Sequence, residues 1–217
     1  MINIKLWKNF RFKLVFIWFI RILLIGAITA NIFTFHWLSL FNSSLALLVT
    51  YIPNFLSKKH LLYTPSDIQI IIIAFVFASL YLGELREFYY RFWWWDTMLH
   101  TFSGIILGFV GFILIYFLNH DENIDLLLSP IFVAIFTFSF SVSIGVVWEI
   151  FEFTMDSLFA FNMQKSGLVD TMWDLIADCV GSGIAAFYGY NHLKRNLPSY
   201  FEKAVSKFVS KNTQFFD

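Results

Sequence analysis

Apolar stretches long enough to cross a membrane recur along the whole chain. A transmembrane helix needs about 20 consecutive, mostly apolar residues to cross the hydrocarbon core. Short connections separate six such stretches and leave no room for a second soluble domain. We therefore predict an all-α, polytopic membrane protein, a bundle of six transmembrane helices over residues 14–33, 37–56, 67–85, 96–118, 130–153 and 170–190.

The composition agrees with this class. Of the 217 residues, 59% are hydrophobic and only 14% are charged, whereas soluble domains carry about a quarter charged residues. The formal net charge is zero, so nucleic acid is not indicated as a partner and membrane lipids are. A single cysteine, Cys179, excludes an intrachain disulfide.

Lysine and arginine placement predicts the orientation. The N-terminal segment, the loop over residues 57–66 and the C-terminal tail fall on one side of the membrane and hold 11 of the 15 basic residues. The positive-inside rule puts that side, with both termini, in the cytoplasm. Arg21 interrupts the first stretch, which we interpret as an uncleaved anchor. The expected location is the bacterial inner membrane.

The C-terminal tail differs from the rest of the chain. We predict a single membrane domain over residues 1–190 and a cytoplasmic, basic tail over 191–217. In that tail Val205 and Phe208 alternate with Lys203 and Lys207 at helical spacing. This pattern predicts an amphipathic helix at the membrane interface.

Carboxylates concentrate where the fourth, fifth and sixth stretches reach the outer side. Residues three or four apart share a helix face, so each of the three predicted helices presents an acidic stripe. Lipid cannot solvate such groups, and we expect the stripes to face one another. Their members are Asp96 and His100, then Glu149, Glu152 and Asp156, then Asp170, Asp174 and Asp178.

So many carboxylates require compensation, by protonation or by a cation. A histidine among carboxylates suits zinc, manganese or iron, and oxygen ligands suit magnesium. Ligands four residues apart come from adjacent turns of one helix, as in metal sites of helix bundles. We predict a divalent metal site with the ligands His100, Glu149, Asp174 and Asp178.

Other roles compete for some of these residues. Asp96 and Asp170 each open a predicted helix, where an aspartate caps free N–H groups. We favour capping for both, and otherwise assign Asp96, with Glu152, to the catalytic carboxylates. A lone intramembrane histidine such as His100 commonly donates to a carbonyl or carboxylate of a neighbouring helix.

The segments "DTMLHTFSG", "WEIFEF" and "DTMWDLIADCVGSGIAA" together resemble the YjdF-like family of bacterial inner-membrane proteins. The span arrangement is more distantly similar to that of VanZ-like proteins, which are linked to glycopeptide resistance. The resemblance implies a pattern of Asp-x-x-x-His, Trp-Glu-x-x-Glu and Asp-x-x-x-Asp. In this chain it falls on Asp96, His100, Glu149, Glu152, Asp174 and Asp178.

Two function classes remain. The first is a metal-dependent hydrolase or transferase acting on a lipid or lipid-linked head group at the outer leaflet, with Glu149 as a ligand and Glu152 as the general base. The second is a non-catalytic cation-binding transporter or an ion-stabilised scaffold. The fourth and sixth stretches are nearly apolar below the acidic stripes, so no continuous ion path is evident, and this favours the enzyme.

Overall fold

The computed structural model describes residues 4–59, 63–120, 128–195 and 200–212, and all regular secondary structure in these ranges is helical. The helices are α1 (Ile4–Thr34), α2 (Trp37–Val49), α3 (Ile52–Lys58), α4 (Ser66–Val76), a π-helical segment (Phe77–Leu85), α5 (Phe88–Arg91), α6 (Trp95–His120), α7 (Pro130–Phe159), α8 (Leu168–Arg195) and α9 (Tyr200–Val209).

Five helical stretches in the described ranges are long and apolar enough to cross a membrane: Lys13–Thr34, Ser39–Lys58, Asp67–Leu85, Trp95–Tyr116 and Pro130–Phe159. They agree with the first five predicted spans to within a few residues at most ends. The fifth continues six residues further, to Phe159. The all-helical membrane class is therefore confirmed.

Helix α8 covers the predicted sixth span but is not among these five. Its 28 residues give a length of about 42 Å, which exceeds the ~30 Å hydrocarbon core. Three aspartates lower its hydropathy: Asp170, Asp174 and Asp178. The sixth crossing thus stays a prediction.

The chain divides into two compact units, residues 1–95 and 96–217. In the first unit α1 contributes Ile17, Ile20 and Leu24 to an apolar core that also contains Ala46 and Ile73. Contacts near the helix ends set the directions of its helices. The Nδ2 atom of Asn31 donates to Ser43 at 3.2 Å, and Lys13 pairs with Asp67. Helix α2 therefore runs back along α1, whereas α4 starts where the apolar part of α1 starts.

The second predicted span is interrupted between α2 and α3. Pro53, in the first turn of α3, lacks an N–H group and cannot continue the hydrogen-bond ladder of α2. Arg21, only 4% exposed, lies at this break. Its Nη2 atom donates to the carbonyl oxygen of Thr50 at 2.8 Å, and Nε donates to Oγ1 of the same residue at 3.1 Å. The guanidinium also lies 3.8 Å from the ring centre of Tyr51.

The third span changes its helical pitch. After α4 the backbone widens into the π-helical segment, which ends where the Arg86 N–H donates to the Tyr81 carbonyl five residues earlier, at 3.0 Å. Gly83 is buried there against the ring of Tyr89. A Cβ atom at this position would overlap that ring. The absence of a side chain therefore lets the ring pack on the backbone.

In the second unit, small residues bring α6, α7 and α8 into close contact. A Cβ atom on Gly104 would lie 2.7 Å from the carbonyl oxygen of Asp178 and 3.2 Å from Cα of Gly181. Ser141 donates to the carbonyl oxygen of Gly104 at 2.9 Å, and Ser182 donates to Ser141 at 2.7 Å. These contacts leave no room for larger residues, as is common where membrane helices cross.

Local signals explain the ends of α7. Ser129 precedes the helix and accepts a hydrogen bond from the Phe132 N–H at 3.3 Å, and Pro130 occupies the first turn, where its missing N–H has no cost. At the other end Ala160 adopts a left-handed conformation with φ 54°. This turn directs the chain into the loop before α8.

The predicted tail contains α9, while α8 extends past residue 190 to Arg195. Val205 and Phe208, on the apolar face of α9, are buried by other parts of the chain. Lys203 and Lys207 are exposed. The amphipathic pattern therefore produces a helix whose central apolar residues contact protein, and its location at a membrane interface remains a prediction.

Candidate metal centre

The second unit collects one histidine and several carboxylates from three helices. His100 comes from α6, Glu149 from α7, and Asp174 and Asp178 from α8. Their exposed fractions are 7%, 4%, 2% and 1%, respectively. Buried ionisable groups of this kind normally need a partner or a bound ion. The structure thus brings together all four side chains predicted as metal ligands.

Three residues form the tightest group of potential donors in the described part of the chain. Asp96, His100 and Asp174 each offer one ligand atom, and these atoms all lie within 4.8 Å of one another. Donors bound to one zinc ion at about 2.1 Å are at most ~4.2 Å apart. Side-chain movements below about 1 Å would therefore close this group around a cation.

The imidazole of His100 is oriented by α8. Its Nδ1 atom lies 3.3 Å from Oδ2 of Asp178, and the hydroxyl of Ser103 donates to Oδ1 of the same carboxylate at 3.1 Å. The Nε2 atom faces Asp96 at 3.9 Å and Glu149 at 3.8 Å. A carboxylate that accepts the Nδ1 proton fixes the tautomer in which Nε2 presents its lone pair.

Glu149 is the unusual member of the cluster. It is buried, and neither carboxylate oxygen has a hydrogen bond of normal geometry among the described residues, although the hydroxyl of Thr171 lies close enough to interact with it. The basic group that faces it is the imidazole of His100, whose Nε2 atom lies 3.8 Å from Oε1. A buried carboxylate without hydrogen bonds carries a desolvation cost of several kcal/mol. A cation placed between Glu149 and His100 would compensate that cost.

Asp96 has a different position from the one predicted. Helix α6 begins at Trp95, so Asp96 lies inside the first turn and does not occupy the capping position. Its carboxylate pairs with Lys165 and faces His100. Asp170 likewise lies in the first turn of α8, three residues after Gly167. For both residues capping stays a prediction.

The loop between α7 and α8 is built around Asp156. Its two carboxylate oxygens accept hydrogen bonds from the backbone N–H groups of Met163, at 2.6 Å, and Gln164, at 2.8 Å. Gly167 provides a left-handed turn with φ 66° before α8. Asp156, near the end of α7, therefore holds the loop and is not part of the donor group. The loop places Lys165 next to Asp96.

Glu152 lies one turn beyond Glu149 on α7 and is half-buried. Its Oε1 atom accepts a hydrogen bond from the indole N–H of Trp148 at 2.9 Å. The charges of Glu149, Asp96 and His100 are close enough to act on it. Its predicted role as a base remains a prediction.

Two contributors were not predicted from the sequence. Ser103, three residues after His100, holds Asp178. Gly145, four residues before Glu149, leaves room for the side chain of Asp178. A Cβ atom at Gly145 would overlap Oδ2 of Asp178 and lie 2.9 Å from its Cγ. For both residues, the sequence signal that could have indicated the role was the helical spacing to a predicted site residue.

These features define a helical membrane protein with a buried acidic and histidine cluster. The chain belongs to a family described as predicted membrane protein DUF2238, which matches residues 12–195. This finding confirms the family resemblance inferred from the motifs.

One relative is a protein of Thermotoga maritima described as uncharacterized, which is 30% identical over 120 residues. The match covers 54% of this chain and 58% of the relative, so the chain spans less than two thirds of that protein. No solved structure matches the chain.

Proposed function

We propose that this protein is a membrane metalloenzyme, with a divalent cation held in the second unit by Asp96, His100 and Asp174. The reaction class is hydrolysis or group transfer on a lipid or lipid-linked head group. The observation that carries the proposal is the carboxylate of Glu149, which is buried beside the three donors and has no hydrogen bond of normal geometry among the described residues. Zinc, manganese, iron and magnesium are the ions that this donor set suits.

The geometry supports distinct roles for the residues. Asp178 contacts Nδ1 of His100 and accepts a hydrogen bond from Ser103. Its role is therefore to orient His100, and it does not bind the cation itself. Glu149 is the fourth ligand. A bound cation supplies a Lewis acid that polarises an oxygen of the substrate. Glu152, whose Oε2 atom is not used by Trp148, accepts a proton from water as the general base.

Metal analysis of the purified protein tests the centre. We expect about one divalent ion per chain, and an increase in melting temperature when zinc, manganese or magnesium is added, because a ligand that binds only the folded state stabilises it. Asp174→Asn should abolish both effects. Asp170→Asn, one turn away on α8, is the matched control and should retain them. Wild-type protein that holds no ion, and whose melting none of the three ions changes, would contradict the proposal.

We further propose that α8 crosses the membrane as the sixth span. Asp174 and Asp178, which lower its hydropathy, are buried inside the unit, so lipid would not contact them. A stripe of exposed apolar side chains follows the opposite face at helical spacing: Val169, Met172, Trp173, Ile176, Val180, Ile184 and Phe187.

Six crossings place both termini on the same side of the membrane, which the positive-inside rule makes the cytoplasm. Reporter fusions after Arg195 and within the loop over residues 160–167 test this topology. The first should report the cytoplasm and the second the outside. A reporter after Arg195 on the outer side would overturn the sixth crossing.

A second candidate, a cation transporter, is favoured by one observation. Buried hydroxyl groups adjoin the cluster along α7 and α8. Ser182 donates to Ser141, and Thr137 is fully buried with its hydroxyl unpartnered among the described residues. Uptake of manganese into proteoliposomes, lost in Ser141→Ala, would support transport. Absence of uptake by metal-loaded protein would count against transport.

A further inference from the structure

The first unit contains a groove that is separate from the acidic cluster. Its volume is about 380 Å³. One wall belongs to α1 and the other to the π-helical segment and the residue after it. The lining residues are Ile22, Leu23, Gly26, Ala27, Ala30, Asn31, Tyr81, Leu85 and Arg86.

The residues that line the groove are mostly apolar. The lining residues of α1 recur at intervals of three and four, so they form one face of the helix. From Ile22 to Ala30 this face rises about 12 Å. Gly26 lies in its middle, and a Cβ atom there would meet nothing within 4 Å. An open, elongated apolar groove of this kind fits a hydrocarbon chain.

Two polar side chains of the lining, Asn31 and Arg86, lie at the same end of the groove. Asn31 is close to the C-terminal end of α1, and Arg86 directly follows the π-helical segment. The two helices run in the same direction, so both residues mark the same end. Arg86 is exposed, and no carboxylate among the described residues forms an ion pair with it. Its guanidinium is therefore available to a phosphate, which it matches in charge and geometry.

From this arrangement we infer that the groove binds an anionic phospholipid, with one acyl chain along α1 and the phosphate at Arg86. The charge complementarity selects the ligand. Arg86 forms no ion pair among the described residues and favours a head group with a net negative charge, and none of the residues that line the groove is a carboxylate that could bind a choline or ethanolamine amine. The inference does not depend on the metal centre, which lies in the other unit.

Competition between two lipids tests this inference on the full-length protein purified in detergent. The probes are dioleoylphosphatidylglycerol and dioleoylphosphatidylcholine, which share their chains and differ in net charge. Native mass spectrometry counts the lipid retained. We expect wild-type protein to retain about fivefold more of the anionic lipid, the effect of one arginine near a lipid phosphate. Soluble glycerol phosphate should not compete, because it lacks the chain.

Substitutions of two residues, Arg86 and Gly26, separate the head-group contact from the chain contact. Arg86→Gln should remove the preference, and Arg86→Lys should retain part of it. Gly26→Leu should fill the groove and lower retention of both lipids. Gly183→Leu is the matched control, because Gly183 in α8 also has nothing within 4 Å of a Cβ atom, and it should retain lipid as wild type does. Melting temperatures identify any variant that is unfolded.

Equal retention of the two lipids by wild-type protein would overturn the inference. So would an unchanged preference in folded Arg86→Gln, or equal retention by Gly26→Leu and Gly183→Leu. Loss of metal binding in the second unit would leave these results unchanged, so failure of the lipid site and failure of the metal centre are distinguishable.

Discussion

The Nδ1 atom of His100 lies 3.3 Å from Oδ2 of Asp178, and this contact determines which imidazole nitrogen faces the other donors. With a cation bound, this carboxylate would keep the proton on Nδ1 and so present the Nε2 lone pair to the ion between Asp96 and Glu149. Carboxylates that orient a ligating histidine in this way commonly change metal affinity 10–100-fold when they are removed.

Gly145→Ala should disturb this contact without removing either partner. The new methyl group would overlap Oδ2 of Asp178 and displace the carboxylate from His100. We expect the affinity for manganese or zinc to fall about 10-fold or more, measured by titration calorimetry, while the helix content by circular dichroism is retained. Gly183→Ala is the control. Unchanged affinity in Gly145→Ala would show that Asp178 does not orient the ligand.

Gly181→Ala should destabilise the second unit. Its Cβ atom would overlap the carbonyl oxygen of Thr101 and lie 3.0 Å from the carbonyl carbon, so α6 and α8 would have to separate. Overpacking of this kind costs about 1–3 kcal/mol. Denaturant unfolding in detergent measures the change in the free energy of unfolding.

Gly183→Ala again provides the comparison, two residues further along α8. It has open space and should be neutral or gain up to about 1 kcal/mol from helix propensity. Similar free energies of unfolding for Gly181→Ala and Gly183→Ala would contradict the close packing of α6 on α8.

Lys165→Met should strengthen binding of a divalent cation. The ammonium group pairs with Asp96, and a metal ion has to compete with it for that carboxylate. A partly exposed ion pair is worth about 1 kcal/mol or less, so the dissociation constant for manganese should fall by up to about fivefold. Lys194→Met, whose contact is with Tyr190, should not change it. Weaker binding in Lys165→Met would mean that the lysine supports the site.

Glu152→Gln should separate catalysis from metal binding. The amide retains the shape and can still accept the Trp148 hydrogen bond, but it cannot take up a proton as a carboxylate does. We expect the metal content to stay at the wild-type level. Lipid extracts from cells with wild-type protein, the variant and a deletion, compared by mass spectrometry, should show one lipid or glycolipid difference that is present with wild type alone. Three identical profiles, with metal-dependent stability intact, would favour an ion-stabilised scaffold.

Much of the second unit follows from its sequence. Four-residue spacing placed Asp96 with His100 and Asp174 with Asp178, and lipid exclusion required their faces to meet. The lengths of the apolar runs predicted the five helical stretches that are long and apolar enough to cross a membrane. Local periodicity cannot show which carboxylate contacts which imidazole nitrogen, because that depends on the rotation of α8 against α6. The contact of Asp178 with His100 became visible only in three dimensions.

The connecting segments were less predictable. Lys165 is one basic residue in a loop, and its approach to Asp96 depends on two backbone N–H groups that bind Asp156. The π-helical segment has no hydrophobic period that distinguishes it from an α-helix over nine residues. The break before α3 was not predicted. Pro53 accompanies it, but the proline alone does not identify Arg21 as the group that donates to the freed carbonyl.

The contact of Arg21 with the break between α2 and α3 has a consequence for biogenesis. An arginine at the centre of a single inserted helix costs about 2.5–3.5 kcal/mol. In this chain the groups that compensate that cost, the carbonyl and hydroxyl of Thr50, lie 29 residues later. At roughly 5–20 residues per second, the ribosome reaches them only seconds after Arg21. The first helix is therefore expected to remain beside the insertion machinery until the second arrives, and the two should enter the bilayer as a pair.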